Sequence, residues 1–162
     1  KGRFKSLLIS SDGEKYSPEG IEEAFVGQSK YIDQVMLYNN QSPYTIALIV
    51  PNKEALKEYV LSVNPSIDVT SEEARRMMLQ KIQDEVNVYK TGGAKGGMFP
   101  DRWLPAALAV LPEAWTEKNG LVNSTMKIVR GKVEKYFEDR IEYAYTPEGK
   151  DLFNPKNLEA LK

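Results

Sequence analysis

Two lysines stand where a chain with few other reactive groups could do chemistry. Lys5 lies in Gly2-Arg3-Phe4-Lys5, and Lys127 in Asn123-Ser124-Thr125-Met126-Lys127-Ile128-Val129-Arg130. The chain has no His and no Cys, which excludes imidazole bases, thiolate chemistry, disulfides and zinc sites of the usual type. What remains is charge. An ammonium on a flexible stem is a point cation that can meet two anionic oxygens at once. Taken alone, each of these lysines reads as a solvated surface charge. A third, Lys95, sits in Thr91-Gly92-Gly93-Ala94-Lys95-Gly96-Gly97 and imitates a phosphate cradle. A P-loop needs Gly-Lys followed by Ser or Thr, between a strand and a helix. No Ser or Thr follows Lys95 and Pro100 comes soon after, so this stretch reads as a mobile connector.

The elements that must position these lysines alternate between strand-like and helix-like runs. Ser6 to Ser10 is a short apolar strand ending at the Ser11-Asp12-Gly13 turn signal. A helix follows, with Ser17 as its cap, Pro18 at its first position and Glu19, Glu22 and Glu23 in its opening turns. Ile32 to Tyr38 and Tyr44 to Val50 predict two strands joined by an Asn39–Pro43 turn. Asn52 caps a helix to Val60, and Ser71 opens a longer one reaching about Tyr89. On the longer one, Ala74, Met77, Met78, Ile82, Val86 and Tyr89 fall on one face, which is ordinary core packing. Pro105 to Leu111 predicts a buried strand. Arg130 to about Tyr145 predicts a closing amphipathic helix with Val133, Tyr136, Phe137, Ile141 and Ala144 turned inward. The fold class expected is α+β (mixed α/β): a small β-sheet flanked by helices, with an N-terminal β-hairpin and a helical elaboration over about 53–100.

Composition bounds the rest. A chain of 162 residues normally makes one domain with a real core. Its 22 Lys+Arg against 23 Asp+Glu give no global field for a nucleic acid or a membrane. No apolar run approaches about 18 residues, the length of a transmembrane helix. The chain begins at Lys1 and enters a motif at once, as expected of a piece of a longer protein.

Gly2 to Glu22 resembles the hinge motif of the C-terminal domain of AMP-forming acyl-CoA synthetases, in the adenylate-forming ligase superfamily. That motif runs Gly-Arg-x-Lys/Asp, an apolar strand, a Gly turn, then Pro-Glu-x-Ile-Glu. Thr116 to Arg130 is similar to the closing signature of the long-chain fatty acid–CoA ligase branch, where Thr-x-Lys precedes an aliphatic residue and Arg. Met126 stands where the commoner family form has Gly, and Gly131-Lys132-Val133 is a decoy that lacks the following x-Arg. The resemblance implies a role for each matched position. Arg3 would reach the ribose and phosphate of the adenylate. Lys5 would be the hinge, Gly13 would line the CoA (pantetheine) tunnel, and Lys127 would be the catalytic lysine.

The implied reaction is ATP-dependent adenylation of a fatty acid carboxylate, then thioester formation with CoA after a domain rotation. Adenylation brings two anions together, so a bridging cation stabilises the transition state. One such contact at about 4 Å is worth on the order of 4 kcal/mol at an effective dielectric near 20, or about a thousandfold in rate. The resemblance further implies ATP and CoA as substrates, and Mg2+ held by a large N-terminal domain that should precede Lys1. The protein would be a cytoplasmic ligase of fatty acid metabolism, with no nucleic acid partner and with peripheral membrane contact left open. On this reading residues 1–162 are the small, mobile domain and should not catalyse alone. Trp103 and Trp115 read as buried packing. Two rival readings stand beside this one: an adenylate-forming enzyme with another acceptor, such as an acyl carrier protein or oxygen, and a non-enzymatic α/β interaction module.

Overall fold

The computed structural model describes residues 7–162; Arg3 and Lys5, assigned above to the adenylate and the hinge, lie outside the described residues. β1 (Leu8–Ser10) and β2 (Lys15–Tyr16) form the expected hairpin, pairing Leu8 with Tyr16 and Ile9 with Lys15. The Asn39–Pro43 segment is more than a turn. It contains β4 (Asn40–Ser42), which runs parallel to β1 and completes a three-stranded sheet ordered β2-β1-β4. Asn39 starts this excursion by accepting the Ser42 N–H at 2.8 Å.

The second sheet is ordered β3-β5-β6 and carries the core. β3 (Ile32–Tyr38) is antiparallel to β5 (Ile46–Pro51), and β5 is parallel to β6 (Ala107–Val110). Its side chains alternate between faces as the pleat requires. Val35, Leu37, Ala47, Ile49, Leu108 and Val110 face one core with α1 (Glu19–Gln28), α2 (Lys53–Val63) and α3 (Glu72–Asn87). Met36, Ile46, Leu48, Val50, Ala107 and Ala109 face another with Trp115, Val133, Phe137 and Ile141. A sheet buried on both faces explains why β5 is apolar throughout.

Both edges of this sheet are closed by side chains. On β3, the Leu37 N–H donates to Glu22 at 2.7 Å. On β6, the Val110 N–H donates to Asn157 Oδ1 at 2.9 Å, while Asn157 Nδ2 donates to the Leu108 carbonyl at 3.0 Å. Unpaired edge amides buried under helices would be costly, so these two polar side chains stand in for missing strands.

The helices follow their caps where the caps are polar. Asn52 accepts from Ala55 N and Ser71 from Ala74 N, both at 3.1 Å, starting α2 and α3 as expected. Ser17 does not cap α1; Pro18 precedes the helix without a side-chain cap. The closing helix is two helices, α4 (Arg130–Tyr136) and α5 (Glu138–Ala144), broken at Phe137 (φ −110, ψ 26). Tyr136, expected to turn inward, is 57% exposed, while Val133, Phe137 and Ile141 stay buried. Two short helices, α6 (Pro147–Lys150) and α7 (Pro155–Ala160), end the chain.

The Gly-rich stretch is wound into consecutive turns rather than left as an open connector. Lys95 N donates to the Val88 carbonyl at 2.8 Å, and its ammonium to Gln28 at 2.9 Å. A Cβ at Gly93 would fall 2.4 Å from the Asn87 carbonyl oxygen, so only glycine fits there. Trp115 is 1% exposed, and Trp103 is half-buried on the Tyr16 ring with centroids 5.3 Å apart. No described helix is long and apolar enough to cross a membrane.

Candidate functional site

Lys127 stands on a small loop that the local sequence builds around Asn123. The Asn123 carboxamide oxygen accepts from Thr125 N at 2.9 Å, Thr125 Oγ1 at 2.7 Å and Lys127 N at 3.0 Å. Asn123 N donates in turn to the Lys127 carbonyl at 2.9 Å. An isolated antiparallel bridge, Val122 to Ile128, closes the base, and Val129 N donates to the Leu121 carbonyl at 2.9 Å. Leu121 and Val122 are buried and Ile128 packs beside them, so the base is anchored in the core. At the tip, Met126 takes φ +65 and is 66% exposed.

The Lys127 side chain projects into solvent. Among the described residues its ammonium has neither a hydrogen bond nor an ion pair. A free cation on a pinned backbone is what recognition of an anion calls for: the charge is available while its Cα is held. The decoy Lys132 is also exposed, on α4, where its ammonium lies 3.9 Å from the position a Cβ on Gly120 would take.

The loop's C-terminal foot is tied to the far end of the sequence. Arg130, first residue of α4, forks onto Glu22 of α1: Nη1 reaches Oε2 at 2.9 Å and Nη2 reaches Oε1. The side chains are 16% and 8% exposed. Burial pushes the Glu22 carboxyl up from its ordinary value, against the opposing pull of the Arg130 guanidinium and the Leu37 N–H.

Gly13 occupies the hairpin turn at φ +89, a backbone conformation that favours glycine. Nothing lies within 4 Å of where its Cβ would be, so the surface there is open. The turn is held by Asp12, whose carboxylate accepts from Ser10 Oγ and from Glu14 N. Glu14 receives a bidentate fork from Arg102 at 2.7 and 2.8 Å. Tyr16 at the base stacks on Trp103 and shares a hydrogen bond with Thr45. The sequence reading missed Asn123, Glu22 and the Arg102–Glu14 fork. Glu22 and Arg130 each end one of the two family-like segments, the one sequence signal that links them.

The family model for the AMP-binding enzyme C-terminal domain matches residues 5–89, taking in all of α2 and α3. Fatty acyl-CoA synthetase B of Dictyostelium discoideum is 30% identical over 89% of this chain and 21% of its own length. Long chain acyl-CoA synthetase 8 of Arabidopsis thaliana is 30% identical over 88% of this chain and 19% of its own. The chain thus spans about a fifth of the length of the relatives it matches. The crystal structure of the adenylation domain of a Mycobacterium chelonae carboxylate reductase superposes with a TM-score of 0.66 at 26% identity, covering 86% of this chain and 19% of that one. The mixed α/β fold, with its hairpin and helix-flanked sheet, is the fold of that adenylation region. With over half its residues matched by the family model, the chain belongs to the AMP-binding enzyme C-terminal domains.

Proposed function

We propose that this chain is the small, mobile domain of a long-chain fatty acid–CoA ligase. In this reading Lys127 serves the adenylation step and the Gly13 hairpin serves thioester formation. The observation that carries the assignment is the Lys127 ammonium, unpaired among the described residues, on a loop whose backbone is fixed at both feet. A positioned cation can bridge carboxylate and α-phosphate and offset their repulsion as the bond forms. Its position costs nothing at the moment of reaction, because the loop is already folded.

A large N-terminal domain would hold ATP, the fatty acid and Mg2+. Among the described residues no cluster of three or more acidic side chains is set to hold a metal ion. Arg3 would contact the adenylate and Lys5 would act as the hinge. Rotation about that hinge would withdraw Lys127 and bring the open Gly13 turn against the adenylate for attack by the CoA thiol. The expected compartment is the cytoplasm.

Two of the relatives described above are named as fatty acyl-CoA or long-chain acyl-CoA synthetases, which supports CoA over another acceptor. Family membership weighs against a non-enzymatic module. The test is fatty-acid-dependent pyrophosphate release by the intact protein, compared among wild type, Lys127→Ala and Lys132→Ala. Loss in Lys127→Ala alone supports the reading. Loss in Lys132→Ala alone moves the site to the decoy, and no release with any carboxylate refutes the ligase assignment.

A further inference from the structure

The Glu22–Arg130 pair is an unusual way to join two elements. An ion pair this deeply buried loses hydration on both sides and is often no more stabilising than an apolar pair of the same volume. What it supplies is direction, because a planar guanidinium meets a carboxylate in one bidentate geometry. Here that geometry links partners 108 positions apart. Glu22 is itself fixed, since the oxygen that meets Nη1 also accepts the Leu37 N–H from the edge of β3.

The placement matters more than the strength. Arg130 lies three residues past Lys127, at the point where the loop enters α4. Glu22 lies on α1, which starts at Glu19, three residues after the Gly13 hairpin ends at Tyr16. The pair therefore bridges the loop carrying the free lysine to the helix that continues the open glycine turn.

We propose that Glu22 and Arg130 are positioning residues that clamp the Lys127 loop to α1, so that loop and hairpin travel as one body. This rests on the reading of Lys127 as the adenylation lysine. Neither residue touches substrate; both act through the lysine's backbone. Arg130 fixes where the loop enters α4, Asn123 fixes the opposite foot, and the ammonium is left free between them. A loop released at Arg130 would keep its lysine but lose its aim.

The experiment uses the intact protein with Arg130→Lys, Arg130→Gln, Glu22→Gln and the double variant Glu22→Gln/Arg130→Gln. Thermal melting confirms that each folds, and Arg130→Lys keeps the charge while removing the fork. Hydrogen exchange then reads the amides of residues 121–129 against those of β5. The clamp predicts exchange in the loop at least about tenfold faster, with β5 unchanged. Adenylation kcat should fall by about 30-fold, KM for ATP should hold within about threefold, and thioester formation from supplied acyl-adenylate should persist. The double variant should be no worse than either single one, because the second change removes a partner already idle.

Unchanged loop exchange in Arg130→Gln overturns the clamp whatever the activity. Uniformly faster exchange, with both half-reactions falling together, also overturns it in favour of a plain structural pair. If Lys127→Ala in the same assay adenylates normally, the reading of the lysine fails instead. The exchange data then still decide whether the loop is clamped.

Discussion

Asn123 and Lys127 hold each other by two hydrogen bonds that run in opposite directions. Asn123 N donates to the Lys127 carbonyl at 2.9 Å, and Lys127 N donates to the Asn123 carboxamide oxygen at 3.0 Å. The same oxygen accepts twice from Thr125. One side chain thus organises the loop that presents the lysine.

Asn123→Ala should accordingly cost about 1–2 kcal/mol, the usual effect of removing a side chain that satisfies several loop donors. The site is exposed, so water recovers part of the loss. Adenylation should fall more than stability suggests, because the lysine backbone loses its tie. Urea unfolding beside initial rates of pyrophosphate release checks both. Wild-type rates in a folded Asn123→Ala protein would show that the loop needs no such tie.

Met126→Gly should stabilise the protein. Met126 sits at φ +65, where a Cβ crowds the backbone and costs roughly 1–2 kcal/mol. Glycine removes that cost but brings back about 0.5–1 kcal/mol of unfolded-state entropy. The net gain expected is therefore about 0.5–1 kcal/mol, readable as a higher urea midpoint with an unchanged slope. The Met126 side chain is 66% exposed, so little packing is lost. A lower midpoint would mean that Met126 makes a contact worth more than its strain.

Acid should separate the hairpin from the clamp. The bond from Ser10, then the Glu14 N–H, hold Asp12 below its ordinary 3.8, and the Arg102 fork holds Glu14 below 4.5. A lowered carboxyl contributes stability above its ordinary value and loses it as pH falls through the folded value. Glu22 has the opposite sign. Burial raises it above 4.5, so its contribution is full below 4.5 and is lost as pH rises through the raised value. A carboxyl-carbon NMR titration should find Asp12 and Glu14 below these reference points and Glu22 above. Glu22 titrating at or below 4.5 would mean that Arg130 outweighs the burial.

Much of the scaffold was legible because it rests on local rules. Asn52 and Ser71 cap α2 and α3 as their positions implied, and the apolar runs expected over Ile32–Tyr38 and Tyr44–Val50 form the strands Ile32–Tyr38 and Ile46–Pro51. What stayed hidden depends on distant partners. Asn40-Gln41-Ser42 has no strand-like alternation and becomes β4 only by pairing with β1. The break at Phe137 escaped because Val133, Phe137 and Ile141 keep a four-residue spacing across it, both short helices packing on one core.

The site divides the same way. Gly13 and Lys127 were singled out by resemblance alone, and the structure adds a physical reason for the family's usual glycine before the lysine: that position is left-handed here, at φ +65. The Glu22–Arg130 fork was not legible, because 108 residues separate its members.

On the proposed reading, Lys127 serves the first half-reaction and not the second. The decisive assay follows Lys127→Ala through both halves in the intact protein. Pyrophosphate release should fall by about a thousandfold, the worth of one close charge contact. Thioester formation from supplied acyl-adenylate should stay within about threefold of wild type. Equal losses in the two halves would contradict the account.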